Sequence, residues 1–227
     1  MEKRSLIIAI DGPSGAGKGT VARAVANALN YRHIDTGAMY RAVAWKALHH
    51  DVPLDEEESV AALAEQASLD LASHRTAIDG HDITRAIRTP EIDKAAARVA
   101  RLPKVREVLV ARQRELGSTR GVVMEGRDIG SVVFPDADVK VYLDASAEER
   151  ARRRANDPAH SGQQGSLAGV QSDLQARDKS DSERPVAPLT LAIDAMYIDT
   201  TGVPIDDVVA MVMKTVREKL SLPYSSS

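Results

Sequence analysis

Four short apolar runs, Leu6 to Ile10, Gly121 to Met124, Val139 to Leu143 and Met196 to Asp199, are separated by longer stretches with helical spacing. Runs of this length bounded by turn residues read as buried strands, and strands alternating with helices read as an α/β fold around a parallel sheet. In the third run Val139, Val141 and Leu143 flank Tyr142, so both faces are apolar, as a strand covered by helices on two sides requires. Helices are predicted over Val21 to Leu29, Ala147 to Ala155 and Leu167 to Lys179. Between Gly37 and Arg120 the pattern changes to Ala-rich helices around short alternating pieces, Leu69 to Ala72 and Thr76 to Ile78, with Asp79 and Gly80 turning the chain. That stretch reads as an insert in the sheet core. Pro158 to Gly165, polar and without periodicity, reads as a surface loop flanked by arginines that can close over a site; a plain helix-hairpin loop is the alternative.

Between the first apolar run and the first helix lies Gly12, Pro13, Ser14, Gly15, Ala16, Gly17, Lys18, Gly19, Thr20. Strand, glycine loop and helix together make a phosphate cradle: glycines let backbone N–H groups wrap a polyanion, the helix offers its positive end, and Lys18 adds a full charge. Nucleoside triphosphate binding is the expected role. The usual pattern puts Ser or Thr directly after the lysine, whereas here Gly19 stands there and the hydroxyl, Thr20, comes one place later.

Composition narrows the field without choosing within it. With 227 residues and 3% aromatics, the chain can bury a sizeable core that must be aliphatic. A net charge of −3 argues against general nucleic-acid binding, so clusters of arginine have to be read individually. No cysteine is present, which excludes disulfides and thiolate metal sites. No apolar stretch approaches membrane-spanning length, and the five-residue run before Asp11 is too short for a signal peptide's core. A cytoplasmic, soluble monomer without nucleic-acid or membrane partners is expected. His49 and His50 are adjacent and read as surface residues rather than a zinc site.

Gly17, Lys18, Gly19, Thr20, with Asp11 ahead of them, resemble the nucleoside monophosphate kinases more than the switch GTPases or motor ATPases. Asp35 to Arg41 (D-T-G-A-M-Y-R) is similar to the D-[ST]-G-A-x-Y-R signature of bacterial cytidylate kinases, and Glu125 to Gly130 (E-G-R-D-I-G) to their G-R-D-x-G loop. Arg177 to Arg184, followed by Pro185, Val186, Ala187 and Pro188, resembles that family's R-D-x-x-D-x-x-R helix and A-P-L segment. The resemblance implies a P-loop core with a parallel sheet flanked by helices (residues 1–36, 120–152 and 168–227), an insert that binds the nucleoside monophosphate and contains a small sheet (37–119), and a short lid (153–167). It implies transfer of the γ-phosphoryl group of ATP to CMP or dCMP, with Mg2+ held mainly by phosphates and water and Thr20 as the nearest protein hydroxyl.

Residue by residue, the resemblance places the donor on Gly12 to Thr20, and CMP on Thr36, Arg41, Arg106, Arg127, Asp128, Arg177, Asp181 and Arg184. It places Arg150, Arg153 and Arg154 on the lid side. Lys18, Arg127, Arg177 and Arg153 are the expected catalytic cations. Spacing adds that Arg150, Arg153 and Arg154 share one helix face, with Arg152 pointing elsewhere, and that Arg177, Asp181 and Arg184 align on another. Asp128 could accept from the exocyclic amine of cytosine, with Arg106 supplying donors to the carbonyl side. Ala97 stands where the family often carries a serine. Asp11 and Asp144, at strand ends, are candidate orienters of the site or simple caps. The residues alone leave open another P-loop small-molecule kinase, or a nucleotide-gated binding module, which a second pocket for a monophosphate would separate.

Overall fold

The computed structural model describes residues 5–72, 75–157 and 166–221. Five parallel strands form the central sheet: β1 (Ile7–Asp11), β2 (Arg32–Asp35), β6 (Val122–Glu125), β7 (Val139–Asp144) and β8 (Met196–Asp199), in the order β2-β6-β1-β7-β8. β1 lies at the centre, and its alternation serves two cores. Ile8 and Ile10 pack on one face with Val141, Leu143, α1 (Lys18–Leu29) and α8 (Ile205–Ser221); Ile7 and Ala9 pack on the other with Val122, Met124 and α5 (Pro103–Gly117). The strand is buried throughout because both faces are covered.

Four strands fall where the apolar runs placed them, within a residue or so at their ends. The fifth, β2, went unread because its Arg32 and His33 are polar. As an edge strand it can carry them: Arg32 donates to the Leu116 carbonyl and to Thr119 Oγ1 (2.7 Å), and His33 Nε2 lies 2.8 Å from Glu125 Oε1. A five-residue π-helical turn, Ile129–Val133, also left no trace in the hydrophobic pattern.

The segment after β2 holds α2 (Thr36–His49), α3 (Glu57–Gln66), an antiparallel sheet of β3 (Leu69–Ala72), β4 (Arg75–Ile78) and β5 (His81–Asp82), α4 (Pro90–Val99) and α5. Asp79 and Gly80 both adopt left-handed backbone (φ 51° and 82°), the requirement for a two-residue hairpin whose twist matches its strands. This segment has its own apolar clusters, one around Met39, Val43, Val60, Val99 and Leu109 and another around Ile78, Ile83 and Ile87. His49 stacks on Trp45 at 4.8 Å. After β7 come α6 (Ala147–Ala155) and α7 (Leu167–Ser182), which pack together through Ala151, Val170 and Leu174. The loop read as closing, Pro158 to Gly165, lies outside the described residues. Among the described residues no helix is long and apolar enough to cross a membrane.

Candidate active site

A cavity of about 620 Å3 opens at the carboxyl ends of the central strands, where parallel sheets place their sites. One wall is the turn between β1 and α1. Gly12 (φ 141°) runs so close beneath β7 that a Cβ on it would lie 1.9 Å from the Leu143 carbonyl oxygen; one on Gly15 (φ 83°) would meet Arg150 at 2.9 Å. Only glycine fits either position. Ser14 is clamped through its backbone. Its N–H donates to Asp178 Oδ1 (3.2 Å) and its carbonyl accepts from Arg150 Nη1 (3.1 Å), while Arg150 also pairs with Asp178 and donates to the Ala145 carbonyl. Arg150 therefore braces the turn from behind and lines no part of the cavity. Gly12 and Pro13 likewise lie beneath the wall, which Ser14 to Val21 form.

Lys18 Nζ donates to the Pro13 carbonyl at 2.7 Å. Burial, and after it the charge of Arg127, lowers its ammonium from the ordinary 10.5 to about 7. Asp11, at the end of β1, accepts from the N–H groups of Ile129 (2.8 Å) and Gly130 (2.7 Å). Burial raises its carboxyl to about 6 against the pull of those two donors. Asp11 thus fastens the start of the π-helical turn, and with it the adjoining Arg127 and Asp128, to the strand that carries the glycine turn. Asp144 instead accepts from Ala145 N–H at the mouth of α6.

Arginines from six separate segments form the opposite wall. Asp35 caps α2 by accepting from Ala38 N–H (3.0 Å) and pairs with Arg41 (2.8 Å) and Arg88 (3.4 Å). Burial opposes ionisation of Asp35, but Arg41, Arg88 and His33 outweigh it and hold the carboxyl far below its usual range. Arg127 Nε donates to Asp181 Oδ2 at 2.8 Å. Arg177 lies 3.1 Å from Asp93, which also pairs with Arg154. Asp128 sits between Arg106 and Arg184, the latter in an ion pair at 3.0 Å. Burial, then the neighbouring arginines acting against Asp93 and Asp128, lowers the guanidiniums of Arg177, Arg154 and Arg184. So many buried cations call for an anion.

Thr36, Arg41, Arg127, Asp128, Arg177, Asp181 and Arg184 line one cavity with the glycine turn, as do Arg152, Arg153, Arg154 and Ala97. Arg106 does not: it is 2% exposed, pairs with Asp128 from behind and donates to the Tyr40 hydroxyl at 3.2 Å. The α6 arginines do not converge on one point, contrary to their spacing. Arg150 turns to Ser14, Arg154 to Asp93, and Arg153 donates to Thr200 Oγ1 (2.8 Å) and Glu149 (2.8 Å). Arg152, expected to point away, pairs with Glu149 at the cavity mouth. Sequence reasoning missed Arg88, Asp93, Glu125 and Asp178. Glu125 and Asp178 carried a signal, the one next to Gly126 and Arg127, the other next to Arg177 inside the R-D-x-x-D-x-x-R motif; Arg88 and Asp93 belong to patterns that only packing reveals. As for magnesium, Thr20 and Glu125 give the cavity hard oxygen donors beside the glycine turn, which suits that ion, and no cluster of three or more His, Asp or Glu able to cage a metal occurs among the described residues.

A glycine turn on a central parallel strand, facing a cationic cleft, defines a P-loop nucleotide-binding fold. Two solved structures share that fold with this chain. One is a gluconokinase from Sinorhizobium meliloti 1021 (TM-score 0.50, 16% identity, covering 94% of this chain and 93% of that one); the other is an uncharacterized protein from Eubacterium ventriosum ATCC 27560 (TM-score 0.51, 11% identity, 93% and 98%). The sequence is more specific: residues 8–218 match the family model described as cytidylate kinase. Curated relatives named cytidylate kinase include one from Desulfitobacterium hafniense (strain Y51), 47% identical with 99% of this chain and 98% of the relative covered, and one from Shewanella amazonensis (strain ATCC BAA-1098 / SB2B), 45% identical with 97% and 98% covered. The chain belongs to the cytidylate kinase family.

Proposed function

We propose that this protein transfers the γ-phosphoryl group of ATP to CMP or dCMP, giving ADP and CDP or dCDP. Near-full-length similarity to cytidylate kinases supports the reading, and the observation that carries it is the cavity itself, in which a glycine turn faces a second wall of buried and half-buried arginines. A nucleotide-gated switch would have no use for that second wall.

The chemistry follows from charge. A monophosphate's second ionisation lies near ~6, so its oxygen is already a nucleophilic anion at neutral pH and needs no general base. Repulsion is the obstacle: two like charges 4 Å apart cost roughly 4 kcal/mol at an effective dielectric of 20. In this reading Gly12 to Thr20 hold the donor, with Lys18 beside its outer phosphates. Arg41, Arg127, Arg177 and Arg184 receive the acceptor phosphate, Asp181 orients Arg127, and Arg153 and Arg154 approach from the lid side. Arginine's planar fork can take two oxygens of a phosphoryl group at once, and positioning with fixed charge is nearly all that such a transfer asks of the protein. Mg2+ would be held by the nucleotide's phosphates and water, near Thr20 and Glu125, and would offset charge on the donor. Segment 37–119 serves as the acceptor lobe, with Asp128 and Ala97 facing the base.

A coupled assay of ADP formation over all common monophosphates tests the proposal. Rapid turnover of CMP and dCMP is expected; turnover of AMP or UMP with CMP idle would overturn the acceptor assignment, and ATP hydrolysis indifferent to any monophosphate would overturn the kinase reading.

A further inference from the structure

Asp93 matches none of the positions read as nucleotide contacts, yet two of the cleft arginines converge on it. Helix α4 is capped by Thr89, whose Oγ1 accepts from Ile92 N–H at 3.2 Å, and opens with Pro90. Asp93 stands one turn in, on the segment read as the acceptor lobe, and is 7% exposed. An acidic residue near a helix start is ordinarily held by its own helix dipole. Here both carboxylate oxygens face other helices instead: Oδ2 accepts from Nη2 of Arg154 on α6, and Oδ1 forms an ion pair with Nη1 of Arg177 on α7 at 3.1 Å, outside hydrogen-bond geometry. Both arginines line the cavity, and Asp93 does not. Arg177 Nε is buried without a hydrogen-bond partner among the described residues, so part of its fork is unspent.

One carboxylate between two guanidiniums leaves a net positive charge and fixes where it points. Without the carboxylate the two cations would repel each other and turn toward solvent in the cavity. With it, one corner of the Arg154 fork is hydrogen-bonded and Arg177 is held by charge, so both are tied to the lobe that takes the acceptor. We propose that Asp93 is a positioning residue for phosphoryl transfer, presetting Arg154 and Arg177 so that their charge meets the transferred group already oriented. This rests on the kinase reading above.

Steady-state kinetics of the full chain with ATP, Mg2+ and CMP test it. Asp93→Asn is expected to lower kcat about 10- to 100-fold, the effect of a misplaced charge, with KM for CMP moved by less than about threefold. Asp93→Glu keeps the charge but displaces it by one methylene and should fall between the two. In an Arg177→Lys background Asp93→Asn should cost clearly less than in the unsubstituted protein, because only its hold on Arg154 is left to lose. An Asp93→Asn protein that melts early yet keeps its kcat per folded molecule, or one whose KM falls while kcat is unchanged, would overturn the proposal. Should Asp93→Asn not fold, Asp93→Glu carries the test, and an unchanged kcat there would equally overturn it. Absence of CMP-dependent ADP formation by the unsubstituted protein would instead overturn the kinase reading, and this inference with it.

Discussion

On the donor side of the cavity the wall is backbone. Eight consecutive residues, Ser14 to Val21, make it, Gly12 beneath it and Gly15 within it leave no room for a side chain, and its single buried cation, Lys18, rests on the carbonyl of Pro13. On the acceptor side the wall is side chain. Its guanidiniums come from α2, the stretch before α4, the stretch before the π-helical turn, α6, α7 and the loop beyond α7, and most are paired with a carboxylate from another segment: Arg88 with Asp35, Arg127 with Asp181, Arg177 with Asp93, Arg184 with Asp128. The difference is one of preorganisation. A backbone turn is held by the strand and helix on either side of it, whereas convergent cations repel one another and must be held apart and aimed by buried carboxylates.

If that contrast is sound, the two walls should fail in different ways. On the donor side, Lys18→Met is expected to cut kcat/KM by about 10^3-fold, since a preorganised charge at the transferred group is lost. The melting temperature of the nucleotide-free protein should hold or rise, because methionine fills the site without a buried charge. A variant that loses stability along with activity would contradict the contrast.

On the acceptor side, Asp128→Asn should act first on stability. Arg106 and Arg184, 2% and 5% exposed, would lose their shared counterion. Leaving buried charge unpaired costs about 3 kcal/mol or more, which for a chain of this size lowers Tm by roughly 6–12 °C. Thermal unfolding measures it, and an unchanged midpoint would show that the carboxylate is not what holds this wall.

Asp11 bridges the two sides, so Asp11→Asn sharpens the comparison. An amide can accept from only one of the Ile129 and Gly130 N–H groups if its NH2 faces the other. The Arg127 loop should shift, with a loss of about 10-fold in kcat/KM for CMP and little change in the binding of ATP measured alone. Equal loss of both would show that Asp11 holds the donor turn as much as the Arg127 loop and would contradict the expected separation.

The smallest effect is a proton. Lys18 falls from 10.5 to about 7 on folding without nucleotide. Between those values the unfolded chain binds a proton that the folded protein has shed, so this group makes the protein more stable as pH rises through that window. A bound triphosphate restores the charge. Nucleotide binding at pH 8 should therefore take up a fraction of a proton, read by calorimetry in two buffers of different ionisation enthalpy, and Lys18→Met should abolish the uptake. Proton release, or uptake that survives the substitution, would contradict it.

Amino-acid order alone determined the donor turn, four of the five core strands and the Asp79-Gly80 hairpin, because each depends on neighbours in the chain: glycines where φ turns positive, apolar residues at strand spacing, a helical run from Val21. It also located Arg41, Arg127, Arg177 and Arg184, which stand inside short motifs. The tertiary structure alone decided which of the arginines reach the cavity. Arg106 and Arg150 have the same chemistry as their neighbours, yet one is buried behind Asp128 and the other behind Ser14. Their partners, Asp128 and Asp178, lie 22 and 28 residues away, and Arg154 finds Asp93 across 61. Periodicity reports which face of a helix a residue occupies, but a long flexible side chain ends where an opposite charge and a gap in the packing allow, and both are set by segments that meet only on folding.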